Sequence, residues 1–480
     1  MIKRHHQIQP QRSSDQRPRR TSPVAGLRLA SQPLREDLYV AGKRLRDKCP
    51  RQSHAIWRPP HDRLDPVFML QESSRGRIPR LIPIRYGRML QSPFTFYRGA
   101  ALGMAADLAS TPVTGLRVQA CGDCHLLNFG FFATPERREI FDINDFDETL
   151  PGPWEWDLKR LAASFVLASR SNGFSDSFAR DAALACVRSY RQHMLEFSEM
   201  AVLDVWYARI DIEDAIPRIK DEQVRKRLQK RLAEVHRSGI HEHHFPALMQ
   251  VTGKPPRIED NPPLIYHERK HGGESFFETA QNALAAYRKT LEPDRRLLLE
   301  RFELRDIAIK VVGVGSVGTW CGIALFEAGK DDYLFLQIKE AGPSVLEAYA
   351  GKSLFPHHGQ RVVNGCRLMQ SASDLFLGWM VGPNGRHFYV RQLKDMKLKI
   401  LVEAFNRGTM LQYAKLCAWT LARAHARSGQ PAMISGYLGR SDKFDKAVAE
   451  FSIAYADQTE RDYKVLLKAV RDGRLEVQKD

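Results

Sequence analysis

With 480 residues, 43% of them apolar and 27% charged, the chain is long enough to bury more than one core and has the polarity of an ordinary soluble protein. No apolar run approaches the roughly 20 residues of a helical bilayer span, and the first 20 residues lack the apolar segment of a signal peptide, so a cytoplasmic location is expected. The formal charge of +17 is uneven: residues 1–60 hold 14 Lys and Arg against 4 Asp and Glu, a net of +10, which leaves +7 for the rest.

Residues 1–60, rich in Pro, Arg, Gln and Ser without apolar periodicity, are expected to form a disordered basic tail. Such an arm is either a solvated tail or a contact for nucleic acid or an anionic surface. Residues 61–300 read as a mainly helical lobe. An alanine-rich helix spans Gly99 to Ser110, and LRVQACGD is a short strand entering a loop. EIFDINDFDE is a second strand with carboxylates at its end. EWDLKRLAASFVLASRS and the stretch from Ser175 to Glu199 have helical spacing, and a proline-rich loop interrupts the charged helical run of 200–300. Residues 301–400 change to strand: IAIKVVGVGSVGT, WCGIALFEA and YLFLQIKEA alternate β-branched or aromatic residues with Gly-rich turns, and HFYVRQLKD closes the section. Residues 401–480 return to helix and are expected to pack on the helical lobe.

The seven cysteines are dispersed, which argues for reduced thiols. Only Cys121 and Cys124 are close, in CGDCHLLNFG. Its C-x-x-C-H pattern matches covalent haem attachment, but the chain shows no export signal. A zinc site needs a second ligand pair, and a redox dithiol needs a helix opening after it; neither is present. Two buried thiols flanking a turn account for the cysteines. The H-E-x-x-H match at His267 to His271 lies between NPPLIY and GG, so a continuous zinc-binding helix is not expected there, and HEHH at 241–244 reads as a solvated loop.

Read from its aspartate, the same stretch is G-D-x-H-x-x-N. A phosphotransferase needs a carboxylate at the nucleophile's proton and an amide oxygen near Mg²⁺, here Asp123 and Asn128. It then needs a second metal-binding carboxylate on the next strand. Asp142 is placed for that, with Asp145 and Asp147 as competitors; an acidic turn is the plainer alternative. Independently, VGVGSVGT sets Gly313, Gly315 and Gly318 between strands, and Lys339 lies on the strand after next. Strand, glycine loop, strand and lysine-bearing strand is the phosphate-covering arrangement of kinase-like folds. The alternative is a plain hairpin whose lysine points to water.

The segments YRGAA, GDCHLLNFG, FDINDFDE and GPWEWDLKRLA, with GVGSVGT, QIKEA, GQRVV, YVRQLKDMK and ARAHARSG, resemble the bacterial DUF2252 family over roughly residues 60–470. GDCHLLN is also similar to the catalytic loop of aminoglycoside phosphotransferases and choline kinases. That similarity implies Asp123 as catalytic base, Asn128 and Asp142 as Mg²⁺ ligands, and Asp157 as a buried brace of the loop. His125 is expected to brace the loop by hydrogen bonding. The implied architecture is α+β, a two-lobed protein-kinase-like fold with circularly permuted lobe order, because the glycine-rich lobe follows the catalytic loop by about 190 residues. The implied activity is Mg²⁺-dependent phosphoryl transfer from ATP to an unidentified small-molecule or protein acceptor. Glu347 is the candidate ion-pair partner of Lys339. A non-catalytic nucleotide-binding pseudokinase and a nucleic-acid-associated protein remain the alternatives.

Overall fold

In the computed structural model, the described residues are 34–216, 222, 225–226, 229–230, 248–250, and 256–479 without 269, 272–273, 330–331 and 394–399. Short helices open this part: α1 (Arg35–Lys48), α2 (Pro66–Glu72), α3 (Ile82–Met89), α4 (Pro93–Gly99) and α5 (Ala101–Ala109). Local chemistry sets their starts. Ser92 caps α4 reciprocally with Thr95 and Pro93 follows at the first helical position, while the Asp65 side chain accepts from Phe68 N before α2.

Residues 35–55, expected to belong to a disordered tail, are folded. Arg46 Nε donates to the Tyr437 carbonyl at 2.9 Å and Arg51 Nη1 to that of Leu438 at 2.7 Å. Cations thus satisfy the terminal carbonyls of a later helix, a role that their charge alone did not reveal. Residues 1–33 of the expected tail lie outside the described residues.

Four short strands follow: β1 (Arg117–Ala120), β2 (Phe129–Ala133), β3 (Glu139–Ile143) and β4 (Leu150–Pro153). β1 pairs with β4 and β2 with β3, both antiparallel. Helix α6 (Trp154–Ser171) is buried from Trp154 to Ser169, and its Ala162, Ala163 and Ser164 let neighbours approach closely. Around it pack α7 (Asp176–Glu199) and, from the far end of the chain, α10 (Arg407–Ser428), α11 (Pro431–Leu438) and α12 (Lys443–Arg471). Trp154 stacks on Tyr190 with centroids 5.7 Å apart at the centre of this core.

Between these helical parts lies a six-stranded antiparallel sheet made of β5 (Ile265–Tyr266), β6 (Glu303–Lys310), β7 (Cys321–Glu327), β8 (Tyr333–Glu340), β9 (Gly378–Val381) and β10 (His387–Gln392). Its order is β9-β10-β8-β7-β6-β5. Helix α8 (Phe276–Arg288) covers one face, where Leu284 and Tyr287 pack with Phe326 and Leu336. On the other face Ile258 and Ile265 cover Ala308, Ile323, Leu325 and Phe335. Helix α9 (His358–Met369) falls between β8 and β9 in the chain and packs on β9 and β10.

The C-terminus of α10 abuts β1. Gln119 N donates to Ser428 Oγ at 3.1 Å, and Gly429 lies against Val118. A helix 290 residues downstream therefore ends where the loop at Asp123 begins. Residues 35–480 form one compact unit of mixed α+β class, and no described helix is long and apolar enough to cross a membrane.

Candidate functional site

The loop 121–128 leaves β1 through Gly122, whose φ of +84° favours glycine and where a Cβ would fall 2.3 Å from the Glu148 carbonyl oxygen. Asp157, in the first turn of α6, accepts from Cys121 N at 2.6 Å and Gly122 N at 2.9 Å. Its Oδ2 also meets His425 Nε2 at 3.2 Å, and Tyr190 OH lies 2.8 Å from the other ring nitrogen of His425. The chain turns here on one buried carboxylate. Cys121 and Cys124 are buried free thiols, and burial pushes the Cys124 thiol well above its ordinary range.

Arg160, one turn after Asp157 on α6, reaches Asp123 Oδ1 through Nε at 2.7 Å and through Nη2. Asp123 Oδ2 makes no hydrogen bond among the described residues, and His125 Nε2 lies 3.9 Å from it. Asn128 Nδ2 donates to the Asp123 carbonyl at 2.5 Å, which keeps the amide oxygen out of that bond. His125 is buried, and burial, with Arg98 and Arg160 nearby, lowers its pKa to about 3, so it stays neutral. Among the described residues its Nδ1 has no hydrogen-bond partner, and the side chain that holds the loop is that of Asp157.

Asp142 stands elsewhere. Its carboxylate is fully buried: Oδ1 accepts from Arg423 Nη2 at 2.6 Å and Oδ2 from Ser371 N at 2.8 Å and Ser371 Oγ at 2.7 Å. Ile143 N also donates to Oδ1 at 2.8 Å, and four donors fill the roughly four acceptor sites of a carboxylate, so the expected metal role of Asp142 does not fit this arrangement. The reason is strand alternation. Asp142 lies within β3 opposite Gly130 and faces α10, whereas Asp145 and Asp147 follow the strand's end.

Those two carboxylates meet Lys339. Its Nζ is 2.7 Å from Asp147 Oδ2 and 3.3 Å from Asp145 Oδ1. Glu347 is not the partner; it accepts from Ser344 N at 3.3 Å. Tyr389 OH donates to Asp147 Oδ1 at 2.6 Å, and Arg391 Nη1 to the Asn144 carbonyl at 3.0 Å. The side chains of Tyr389 and Arg391 escaped notice in the sequence, although the period-two pattern of HFYVRQ sets both on one face of β10, with Tyr389 paired to Lys339.

The glycine loop between β6 and β7 comes down on the same cluster: Ser316 Oγ donates to Asp147 Oδ2 at 3.2 Å. Gly313 and Gly318 have φ of +68° and +87°. Carbonyls of the loop face the opening helices, that of Val317 accepting from Arg77 Nη1 at 2.6 Å, that of Gly318 from Ile78 N at 2.7 Å, and that of Gly313 from Arg88. No backbone N–H of residues 313–318 donates to a protein acceptor among the described residues. Donors turned away from protein acceptors are what an anion requires. The glycine loop and Lys339 thus meet at Asp147, Asp123 is held by Arg160 and Asn128, and Asp142 pairs with Arg423.

Residues 77–469 match the family model described as an uncharacterized protein conserved in bacteria (DUF2252). The chain belongs to that family. No curated protein and no solved structure matches it.

The matched DUF2252 region contains every residue of the site. Burial opposes the charge on Lys339, but Asp145 and Asp147 more than offset it and hold the ammonium well above its ordinary pKa. The two carboxyls are driven apart. Burial disfavours the Asp145 anion, yet Lys339 and Arg391 hold it below the usual range, while burial and the neighbouring Asp145 raise Asp147. Burial also lifts Glu148, which accepts from Val345 N at 2.7 Å, to about 7. Among the described residues no three His, Cys, Asp or Glu side chains are grouped to hold a metal ion. The hard oxygens of Asn128 and Asp145 suit Mg²⁺, which binds through one or two carboxylates together with phosphates and waters. The H-E-x-x-H match begins just after strand Ile265–Tyr266 and ends on strand Lys270–His271, with none of its described residues in a helix, and HEHH lies outside the described residues.

Proposed function

We propose that this protein is a Mg²⁺-dependent phosphotransferase of kinase-like, circularly permuted architecture that transfers the γ-phosphoryl group of ATP to an acceptor hydroxyl. The observation that carries the reading is the convergence of Lys339, Asp145 and Asp147 under Ser316 of the glycine loop. Three strands with a glycine loop in the first turn and a lysine on the third, then a helix and two more strands, support the nucleotide lobe. The meeting of α10 with β1 supports the permutation, because a chain running from Ser428 into Gln119 would restore the usual lobe order.

In this reading the free amides of 313–318 and Lys339 bind the phosphates. Asn128 and Asp145 would hold Mg²⁺, which when bound neutralises phosphate charge. Asp123 Oδ2, left open by the Arg160 pair, orients the acceptor hydroxyl and takes its proton as the new O–P bond forms and the bond to the ADP oxygen breaks. Asp157 keeps the loop in place and touches no reactant.

The test is ADP release from γ-labelled ATP with Mg²⁺, by wild type and Asp123→Asn. Slow turnover, reduced by about 100-fold or more in the variant while nucleotide binding persists, is the expected result. Absence of nucleotide binding by wild type would remove the reading. The alternative is a non-catalytic nucleotide binder that would hold ATP on the same loop and lysine. Binding without turnover in any acceptor mixture would select that alternative.

A further inference from the structure

A cavity of about 460 Å³ lies away from Lys339, between α2, α5 and α12. That volume is in the range of small-molecule sites. Its floor is α5, where Ala100, Gly103 and Ala106 withhold side chains; a Cβ built on Gly103 meets nothing within 4 Å. Its walls are apolar and aromatic, with Met69, Leu70, Phe96, Tyr97 and Tyr455.

The polar end carries unequal charge. Arg63 alone answers two carboxylates: Nε and Nη2 reach Asp107 at 2.8 Å each, while Nη1 and Nη2 reach Asp462 at 3.0 and 2.6 Å. Tyr455 OH adds a hydrogen bond to Asp107 at 2.8 Å. Asp62 stands exposed at the rim, and no lysine or second arginine lines the cavity. The lining therefore holds three acidic groups and one basic group, in a recess where low-dielectric walls focus the field. Aromatic faces beside an excess of carboxylate attract a cation and disfavour an anion.

We infer that this cavity is a binding site for a small organic cation with an apolar body, an amphiphilic amine, separate from the phosphate-facing cluster. The inference does not rest on the phosphotransferase reading. The site nevertheless lies close behind Asp123. Tyr97 and Met104 line the cavity and also touch Arg160, whose Nη2 donates to the Tyr97 carbonyl at 3.1 Å and whose Nη1 lies 3.2 Å from Met104 Sδ.

The test is calorimetric titration of the full chain with three matched probes: phenylbutylamine, phenylbutanol and phenylbutyrate. The amine binds saturably and more than about tenfold tighter than the alcohol, the carboxylate more weakly than either. Gly103→Leu fills the cavity and replaces a helix-interior glycine, so it abolishes amine binding without lowering the melting temperature. Asp462→Asn halves the excess charge and narrows the gap between amine and alcohol. Equal binding of all three probes, no binding of the amine up to its solubility limit, or unchanged binding by folded Gly103→Leu would each overturn the assignment.

Discussion

Lys339 Nζ lies 2.7 Å from Asp147 Oδ2, joining residues 192 positions apart in the chain. The lysine is 3% exposed, the two carboxylates it serves about a third or less. Lys339→Met leaves those carboxylates side by side with no ammonium between them. Stability falls by about 1–3 kcal/mol at neutral pH, less than for a fully buried pair because water reaches the acids. Asp145 is held below its ordinary pKa by this cation, so the pair's contribution is full above the unfolded carboxyl range, starts to shrink there and is lost only as pH falls through the lower folded value. Urea unfolding of wild type and variant should differ most at pH 7, with a gap that narrows progressively below about pH 4; a gap independent of pH would contradict the ion pair.

Asp142 and Asp145 differ in burial and in partner. Asp142→Ala strands Arg423, which is 1% exposed on its side chain, and costs about 3–5 kcal/mol. Asp145→Asn removes a half-buried oxygen charge and keeps the shape. Circular dichroism melts should show a large loss for Asp142→Ala and a small one for Asp145→Asn; the reverse ranking would return Asp142 to the metal role.

Gly122→Ala tests the loop that carries Asp123. The new Cβ meets the Glu148 carbonyl at a backbone angle that L side chains avoid. A loss of about 2 kcal/mol or more is expected, with wild-type stability in the variant contradicting the turn.

Glu148 sets a pH dependence. Burial raises its pKa from 4.5 to about 7, so the folded chain binds this proton more tightly than the unfolded one. Its contribution is full below about 4.5 and is lost as pH rises through about 7. Glu148→Gln keeps an acceptor for Val345 N and should flatten the stability profile between pH 5 and 8, by about 1–2 kcal/mol. A profile unchanged by the substitution would remove Glu148 as its source.

The loop GDCHLLN, helix α6 and the glycine loop with its lysine strand were legible because each is a local pattern whose spacing the backbone obeys. The choice among Asp142, Asp145 and Asp147 was not legible. It depends on where β3 ends: Asp142, within the strand, meets Arg423, whereas Asp147, beyond its end, meets Lys339. Partners such as Arg160 for Asp123 and Tyr389 for Asp147 are set by packing between distant segments. The basic run near residue 46 read as a tail because charge does not disclose that arginines can cap the carbonyls of a helix almost 390 residues away.

Calorimetric titration of MgATP into wild type, Lys339→Met and Asp145→Asn tests the proposed phosphate and metal site at Lys339 and Asp145 most directly. Saturable, Mg²⁺-dependent binding in wild type, weakened about tenfold or more in both folded variants, is the predicted result. No heat at saturating nucleotide, or equal binding by all three proteins, would contradict it.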